Sequence, residues 1–542
     1  MSEAVPVHGR SKNLVLAAMI FAVAMTFIDQ TIVSIAVPEI QTKLGLSATG
    51  VQWAVNAYLL ALASLFAFGG RLADTLGHRR MVTIGVIIFA AASAMCGATP
   101  KGSLAEAWLI TFRALQGLGG AIMFPAALAI VVQTYEVRER GKALATFFGI
   151  SGALTAIGPI MGGFLTQWTW RAIFWVNLPV AAVAILLIAL SKPVTDFRPA
   201  KMDYRGLALI TGGIVLGVFG FQQAPLWGWS NPAIGICIAA GLVLLLVFYR
   251  VQRQTDSPLI DMDIFRNRTF LVENLVLGIS MLVFVPLFLF SSEYAQISLG
   301  KQAKDAGVFL LYFFVGFAVA TQIGGRMLDR VGAKRPVTMG CVLAAVGFFL
   351  WAQKVTTLDF GKQQWFIVLA GAGMGFMLSP ASTDAVNQAG RYSYGEATGI
   401  TQTIRNYAAS LGLAVLGTTL VSRMRTNVAN QLVAQGTPRG VADHLAAGLA
   451  QMQSGGSSSG SSGSGSSGNG APDLSQIPHF YKVAFAQSTQ TIFYAMAGIM
   501  AAAAIVAFVG LKRGVAPEAV AAADAVGVPD GGPTQGAAEA TA

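Results

Sequence analysis

Charge is what this sequence has least of: 11% of its 542 residues are Asp, Glu, Lys or Arg, and its mean hydropathy is +0.62. A water-soluble chain of this length would divide into several domains and cover them with far more charge, so a soluble protein is excluded. Cysteine is nearly absent, and Cys96, Cys237 and Cys341 give neither a disulfide framework nor a metal-binding spacing. Histidine is as scarce. His8, His78, His444 and His479 all fall in terminal or loop segments, which leaves no imidazole base or metal ligand inside an apolar run and argues against a membrane-bound enzyme. No glycine-rich loop ending in Lys-Ser or Lys-Thr occurs, so a nucleotide-driven pump is excluded. The expected energy source is an ion gradient, with no cofactor and no metal.

What the chain does have is apolar runs of roughly 18 to 25 residues, long enough to cross a hydrocarbon core of about 30 Å. Fourteen lie at about 14–35, 52–70, 81–99, 105–131, 143–165, 172–190, 206–224, 232–249, 269–290, 305–324, 337–352, 365–384, 397–420 and 490–510. They predict an all-α integral membrane protein of fourteen transmembrane helices. The first run follows His8, Arg10 and Lys12; it is too long for a signal-peptide core and lacks a small-x-small cleavage site, so an uncleaved span is expected.

The basic residues test that count. With the amino terminus inside, 23 of the 36 Lys and Arg fall in inner segments and 11 in outer ones, Arg113 and Arg405 lying within spans. That asymmetry orients membrane helices. The net charge of +11 is therefore a topology signal, not a nucleic-acid footprint, and both termini are expected in the cytoplasm of a multi-pass plasma-membrane protein. Alanine and glycine abundance fits a bacterial source. The stretch SGGSSSGSSGSGSSGNG at 454–470 cannot bury enough surface to order itself, so 421–489 reads as a flexible external loop, with 425–452 able to form a short surface helix. Residues 511–542 read as a disordered cytosolic tail.

A short charged segment occurs twice: GRLADTLGHRR at 70–80 and GRMLDRVGAKR at 325–335, with Asp74 and Asp329 255 residues apart. Each joins the second and third spans of a six-span half, the internal symmetry on which two-lobed carriers are built. The chain then divides into a cytosolic terminus (1–13), a first lobe (14–190), a linker with an inserted span pair (191–268), a second lobe (269–510) and the tail. Gly70, Gly77, Gly325 and Gly332 suit tight turns. Asp74 and Asp329, with Arg79 and Arg330, suit a latch that holds the cytosolic side shut in one state.

Six segments in order resemble the major facilitator superfamily, and within it the fourteen-span drug:proton antiporter branch. They are FIDQTIVSIAVPEI at 27–40, the segment 70–80 with its copy, RALQGLGGA at 113–121, GPIMGG at 158–163 and WRAIFWVNLP at 170–179. Thr75, His78 and Ala333 depart from the usual pattern of the turns. The similarity covers about 14–510, leaving out the glycine-serine loop and the tail. It implies two six-helix lobes plus an inserted pair, and export of drugs or other amphipathic small molecules, cationic ones included, against inward proton flow. Alternatives are a dedicated exporter of one endogenous metabolite or antibiotic, an uptake symporter, or a non-transporting receptor. The expected partners are the substrate and membrane lipid, with the protein working as a monomer.

Two charges stand inside apolar runs at comparable depth. Asp29 lies roughly 22 Å along span 1 from its inner start, and Arg113 roughly 12 Å down span 4 from its outer start, at 1.5 Å per residue. A lone ion there costs at least about 2.5–3.5 kcal/mol, so mutual pairing is expected. A carboxyl that moves between a guanidinium and other surroundings releases and rebinds a proton, whereas arginine stays charged. Asp29 and Arg113 are therefore the candidates for proton coupling, with Gln116 and Gly117 on the same helical face as Arg113. A structural ion pair that never titrates is the alternative. Arg405 could meet Glu273 or Asp384; Glu273, Glu293 and Asp305 are candidates for a second acidic site. Gly158, Pro159, Gly162 and Gly163 mark a bent, close-packing gating helix. Trp53, Tyr58, Phe284, Phe288, Tyr312 and Tyr407 are candidates, with Gln116 and Arg405, for the substrate cavity.

Overall fold

The computed structural model describes residues 9–135, 137–193, 203–388, 394–453, 478–512 and 514. The first lobe contains α1 (Gly9–Leu44), α2 (Ala48–Leu76), α3 (His78–Gly97), α4 (Ala105–Thr134), α5 (Val137–Trp168) and a sixth span broken at Val176 into α6 (Ala172–Trp175) and α7 (Asn177–Ser191). The inserted pair follows as α8 (Tyr204–Trp227) and α9 (Pro232–Gln252). The second lobe contains α10 (Arg268–Ile297), α11 (Ala303–Val331), α12 (Lys334–Val355), α13 (Gln364–Asn387), α14 (Tyr394–Ala434) and α16 (His479–Gly510), with a surface helix α15 (Arg439–Gln453) before the last. Among the described residues, twelve helical segments are long and apolar enough to cross a membrane. Helix α14, 41 residues long, is not among them; it carries Thr401, Gln402, Thr403, Arg405 and Asn406 in one mid-helix stretch.

Local chemistry sets the helix starts. Ser47 accepts a hydrogen bond from the Gly50 amide at 2.7 Å to begin α2. Asp203 does the same for α8 from Gly206, and Asn267 begins α10 by accepting from Thr269 and Phe270. These side chains supply acceptors that the first turn lacks.

The two repeated charged segments are mostly helix, not loops. Helix α2 continues through Asp74 to Leu76 and α3 resumes at His78, so Gly77 alone makes the turn, at φ 94°. In the second copy α11 runs to Val331 and Gly332 turns the chain at φ 76°. A side chain is strained at either φ, and the two glycines, like the two aspartates, are 255 positions apart. The repeat extends into packing. Pro125 of α4 has no N–H, which leaves the Ala121 carbonyl without its helical donor, and Gly69 of α2 lies on that carbonyl so closely that a Cβ would collide with it. Pro380 of α13 frees the Phe376 carbonyl in the same way, and Gly324 of α11 packs there.

The segment expected to be an external loop differs from its sequence reading. Span 13 does not stop near 420, because α14 continues to Ala434; α15 packs on α14, and α16 begins at His479. The apolar spacing that ends a span is set by the membrane, whereas a helix continues until its backbone is interrupted, here at Gly436 with φ 92°. The glycine-serine stretch 454–470 and the tail from 515 lie outside the described residues.

Within the lobes, α2 and α3 pack on α4, and α11 and α12 pack on α13. Between them, α2 meets α14, α5 meets α11, and α1 meets α10. The inserted pair packs on itself, and α8 leans on both α2 and α14. The named cross-lobe contacts gather in the half remote from the basic turns. There Gln296 Nε2 donates to the Ile35 carbonyl at 3.0 Å, and Gly307 of α11 sits against the Pro159 carbonyl of α5. Toward the basic turns, a Cβ on Gly325 or Gly399 would meet nothing within 4 Å.

Candidate functional site

Asp29, in the middle of α1, and Arg113, near the start of α4, form an ion pair at 2.5 Å and are each 1% exposed. The pairing follows from cost, since either ion alone in hydrocarbon is expensive. The guanidinium is further fixed: Nε donates to the Ala54 carbonyl of α2 at 2.9 Å, and Nη1 to Gln116 Oε1 at 2.7 Å. One helical turn after Arg113, Gln116 closes the triangle by donating Nε2 to Asp29 Oδ1 at 2.8 Å. The Tyr58 ring lies under the guanidinium, 4.5 Å from centroid to Cζ, and its hydroxyl donates to the Thr26 carbonyl of α1 at 3.2 Å. Three helices thus converge on one carboxylate.

A surrounding layer was not apparent from sequence. Ser93 of α3 lies 3.4 Å from Gln116 Nε2, receives Asn177 Nδ2 of α7 at 3.0 Å, and donates to the Phe174 carbonyl at 2.8 Å. Asn177 sits where the sixth span breaks. The only signal for either residue is a polar side chain in an apolar run, and that signal is common.

Two residues beyond Asp29, Thr31 connects this network to the bent helix. Pro159 lacks the N–H that would serve the Thr155 carbonyl. The Thr31 hydroxyl supplies the missing donor at 2.9 Å. Gly158 and Gly162 of α5 pack on α1 at Thr31 and Ile32, whereas Pro159 and Gly163 border Gly307 of α11. The four residues of the predicted gating helix therefore divide between two faces, one held to α1 and the other to the opposite lobe.

The remaining candidates separate from this centre. Asp74 lies 3.7 Å from His78 Nε2 with its side chain half exposed, Arg79 and Arg330 are exposed, and nothing is described of the Asp329 side chain. Phe284 and Phe288 are buried in an α10–α11 ring cluster with Phe313, Phe314 and Phe317, Phe288 stacking on Phe314 at 5.2 Å. Tyr312 packs on Phe360. Trp53 packs on Phe219 of α8, and the Tyr407 hydroxyl approaches Gly217 of the same helix. Each of these rings thus rests against a neighbouring element. Gly117 packs on the Tyr58 carbonyl. Arg405, half-buried in α14, forms an ion pair with neither Glu273 nor Asp384. Glu273 and Asp384 face one another, and Asp305 is exposed.

Comparison with known proteins extends this geometry. The chain is 34% identical over 416 residues to a tetracenomycin C resistance and export protein of Streptomyces glaucescens, covering 76% of each chain. It is 33% identical to a puromycin resistance protein of Streptomyces alboniger, covering 74% of this chain and 80% of that one. To a multidrug transporter of Bacillus subtilis it is 30% identical, covering 78% of both. Among solved structures, a bacterial homologue of the human lysosomal transporter Spinster, inward-facing and unoccupied, superposes with a TM-score of 0.57 at 15% identity, over 93% of this chain and 98% of that one. The model of the Major Facilitator Superfamily matches residues 19–413, and the chain belongs to that superfamily of membrane transporters.

Proposed function

We propose that this protein exports drugs and other amphipathic small molecules across a bacterial plasma membrane in exchange for protons. It does so by alternating access, with fourteen crossings and both termini in the cytoplasm. The observation that carries the reading is the sealed triangle of Asp29, Arg113 and Gln116. Relatives named as resistance, export and multidrug proteins support the substrate class.

The residues then divide the work as follows. With the lobes joined on the face remote from the basic turns, Arg113 and Gln116 hold the Asp29 carboxyl away from water. When the lobes rock, α1 and α4 shift, the pair loosens and a carboxyl that loses its cation gains proton affinity. A proton taken on one side and released on the other exchanges the driving ion for substrate. Arg113 keeps its charge throughout, so its part is to receive the carboxylate again once the proton has left. The repeated turns at Gly77 and Gly332 are the corresponding closure on the cytosolic side.

The test is ethidium or tetracenomycin C transport into inside-out proteoliposomes driven by an imposed pH gradient. Wild-type protein is expected to accumulate substrate, and Asp29→Asn is expected to retain binding while losing gradient-driven accumulation. Unchanged coupling in Asp29→Asn would remove that carboxyl from the proton path.

A dedicated antibiotic exporter is the second reading. It is favoured by relatives whose names each specify one compound, including a cephamycin export protein of Amycolatopsis lactamdurans matched at 31% identity. A screen in which one antibiotic alone stimulates proton exchange separates the two.

A further inference from the structure

Away from the Asp29 triangle, the second lobe buries a second acidic group at the end of the molecule where the basic turns lie. Glu273 is in the second turn of α10 and Asp384 in the last turn of α13. Glu273 is 0% exposed and Asp384 6%. The two carboxyls face each other closely enough to interact, yet neither Glu273 oxygen has a hydrogen-bond donor of good geometry. Asp384 lies 3.4 Å from Gln388 Nε2. From α12 the buried Cys341 thiol lies near Glu273, and that thiol is itself engaged with Met377 at 3.4 Å. No lysine, arginine or histidine on the helices packed against α10 forms an ion pair with either carboxyl among the described residues, Arg405 of α14 included.

Two facing carboxylates without a cation cannot both be ionised in a buried site; the arrangement that removes the repulsion and supplies the missing donor is one proton held between them. A structural role alone gives no reason for two acids there. An amide in either place would satisfy the same contact without charge, and a buried ionisable residue inside a membrane bundle is a functional site by default. Neighbouring Asn274 also leaves its buried Oδ1 unpartnered while Nδ2 donates to Phe270, so its free atom is an acceptor, not a donor.

We propose that Glu273 and Asp384 form a second proton-binding site, in the second lobe, that holds one proton between the two carboxyls in the arrangement seen here. A proton enters as hydronium gives it to the carboxylate pair, and leaves to water when the α10–α13 contact is hydrated. The transporter then has a titratable centre in each lobe, Asp29 beside a cation and Glu273 beside a second acid. The site rests on the geometry of α10 and α13 and deepens the proton-coupled reading. Its test reads protonation directly, so its failure leaves antiport through Asp29 untouched.

The experiment uses the full chain in lipid nanodiscs. Infrared spectra at neutral pH are expected to show the carbonyl stretch of a protonated carboxyl. That band should lose intensity in Glu273→Gln/Asp384→Asn and keep it in Asp29→Asn. Its absence from the wild type, or an undiminished band in the double variant, overturns the proposal. Because the double variant can fail to fold, the wild type is also treated with a membrane-permeant carbodiimide, which reacts with protonated carboxyls. An adduct mapped to Glu273 or Asp384 at neutral pH supports the site, and labelling confined to other residues refutes it.

Discussion

At the scale of single residues, the ion pair was legible and its environment was not. A carboxylate and a guanidinium inside apolar runs announce themselves, because only a partner offsets their burial, and Asp29 and Arg113 meet at 2.5 Å. Arg113 does more than carry charge. Its fork reaches Asp29, Gln116 and the Ala54 carbonyl from one plane while its face covers Tyr58. Lysine keeps the charge but has neither the planar fork nor the stacking surface, so Arg113→Lys is not conservative here. Transport by Arg113→Lys is expected to fall at least about tenfold, as breaking a buried pair costs about 3–5 kcal/mol and a single ammonium restores only part of it. Gln116→Glu should fail differently, placing a second carboxylate 2.8 Å from Asp29 Oδ1; its transport is expected to recover as the pH is lowered and the added acid is neutralised. Transport rates across a pH series check both. Ser93 and Asn177 escaped notice because a hydroxyl or amide in an apolar helix bonds its own backbone as readily as a neighbour.

At the scale of elements, prolines and their partners explain where helices bend and why they bend together. Span positions could be read from hydropathy, and the two glycine turns from their spacing. The pairing of a proline in one helix with a donor in another was hidden, because it joins Thr31 to a carbonyl 124 positions away. One arithmetic clue existed: a proline at 159 frees the carbonyl at 155, and a freed carbonyl in a membrane requires a donor. The hydroxyl that answers is two residues from Asp29, so movement of α1 at the acid also moves the bend of α5. Thr31→Val keeps the shape and removes the donor. It is expected to destabilise the bent arrangement by about 1–3 kcal/mol, the cost of a buried unpaired carbonyl, and to lower transport while leaving the Asp29 pair in place. Thr31→Ser should restore both. Thermal unfolding in detergent together with transport tests this pair of outcomes; equal behaviour of Val and Ser would assign the contact to packing alone.

At the scale of the molecule, the inserted pair is the part that composition could count but not place. Span 7, at about 206–224, carries Gln222 and Gln223 in its apolar run, and Gln222 has a partner. It is 1% exposed and accepts from Asn56 Nδ2 of α2 at 2.5 Å, while Ser410 of α14 donates to Asn56 Oδ1. About two turns away along α14, Thr418 donates to the Phe221 carbonyl at 2.9 Å. Helix α8 is therefore bonded to both lobes at once, in the half of the molecule where they touch. Any rocking that separates α2 from α14 there must break this chain of bonds, so α8 biases the balance between the two facing states. Interhelical hydrogen bonds in membranes contribute about 0.6 to 2 kcal/mol, which sets the expected size of that bias. Gln222→Leu should shift the population by about three- to thirtyfold toward the state open on the face remote from the basic turns. A cysteine pair at Ile35 and Gln296, which lie across the same closure, reports it: oxidative cross-linking should drop several-fold in Gln222→Leu, with the fold retained. Equal cross-linking with and without Gln222 would mean that the lobes set their own balance and that α8 only follows.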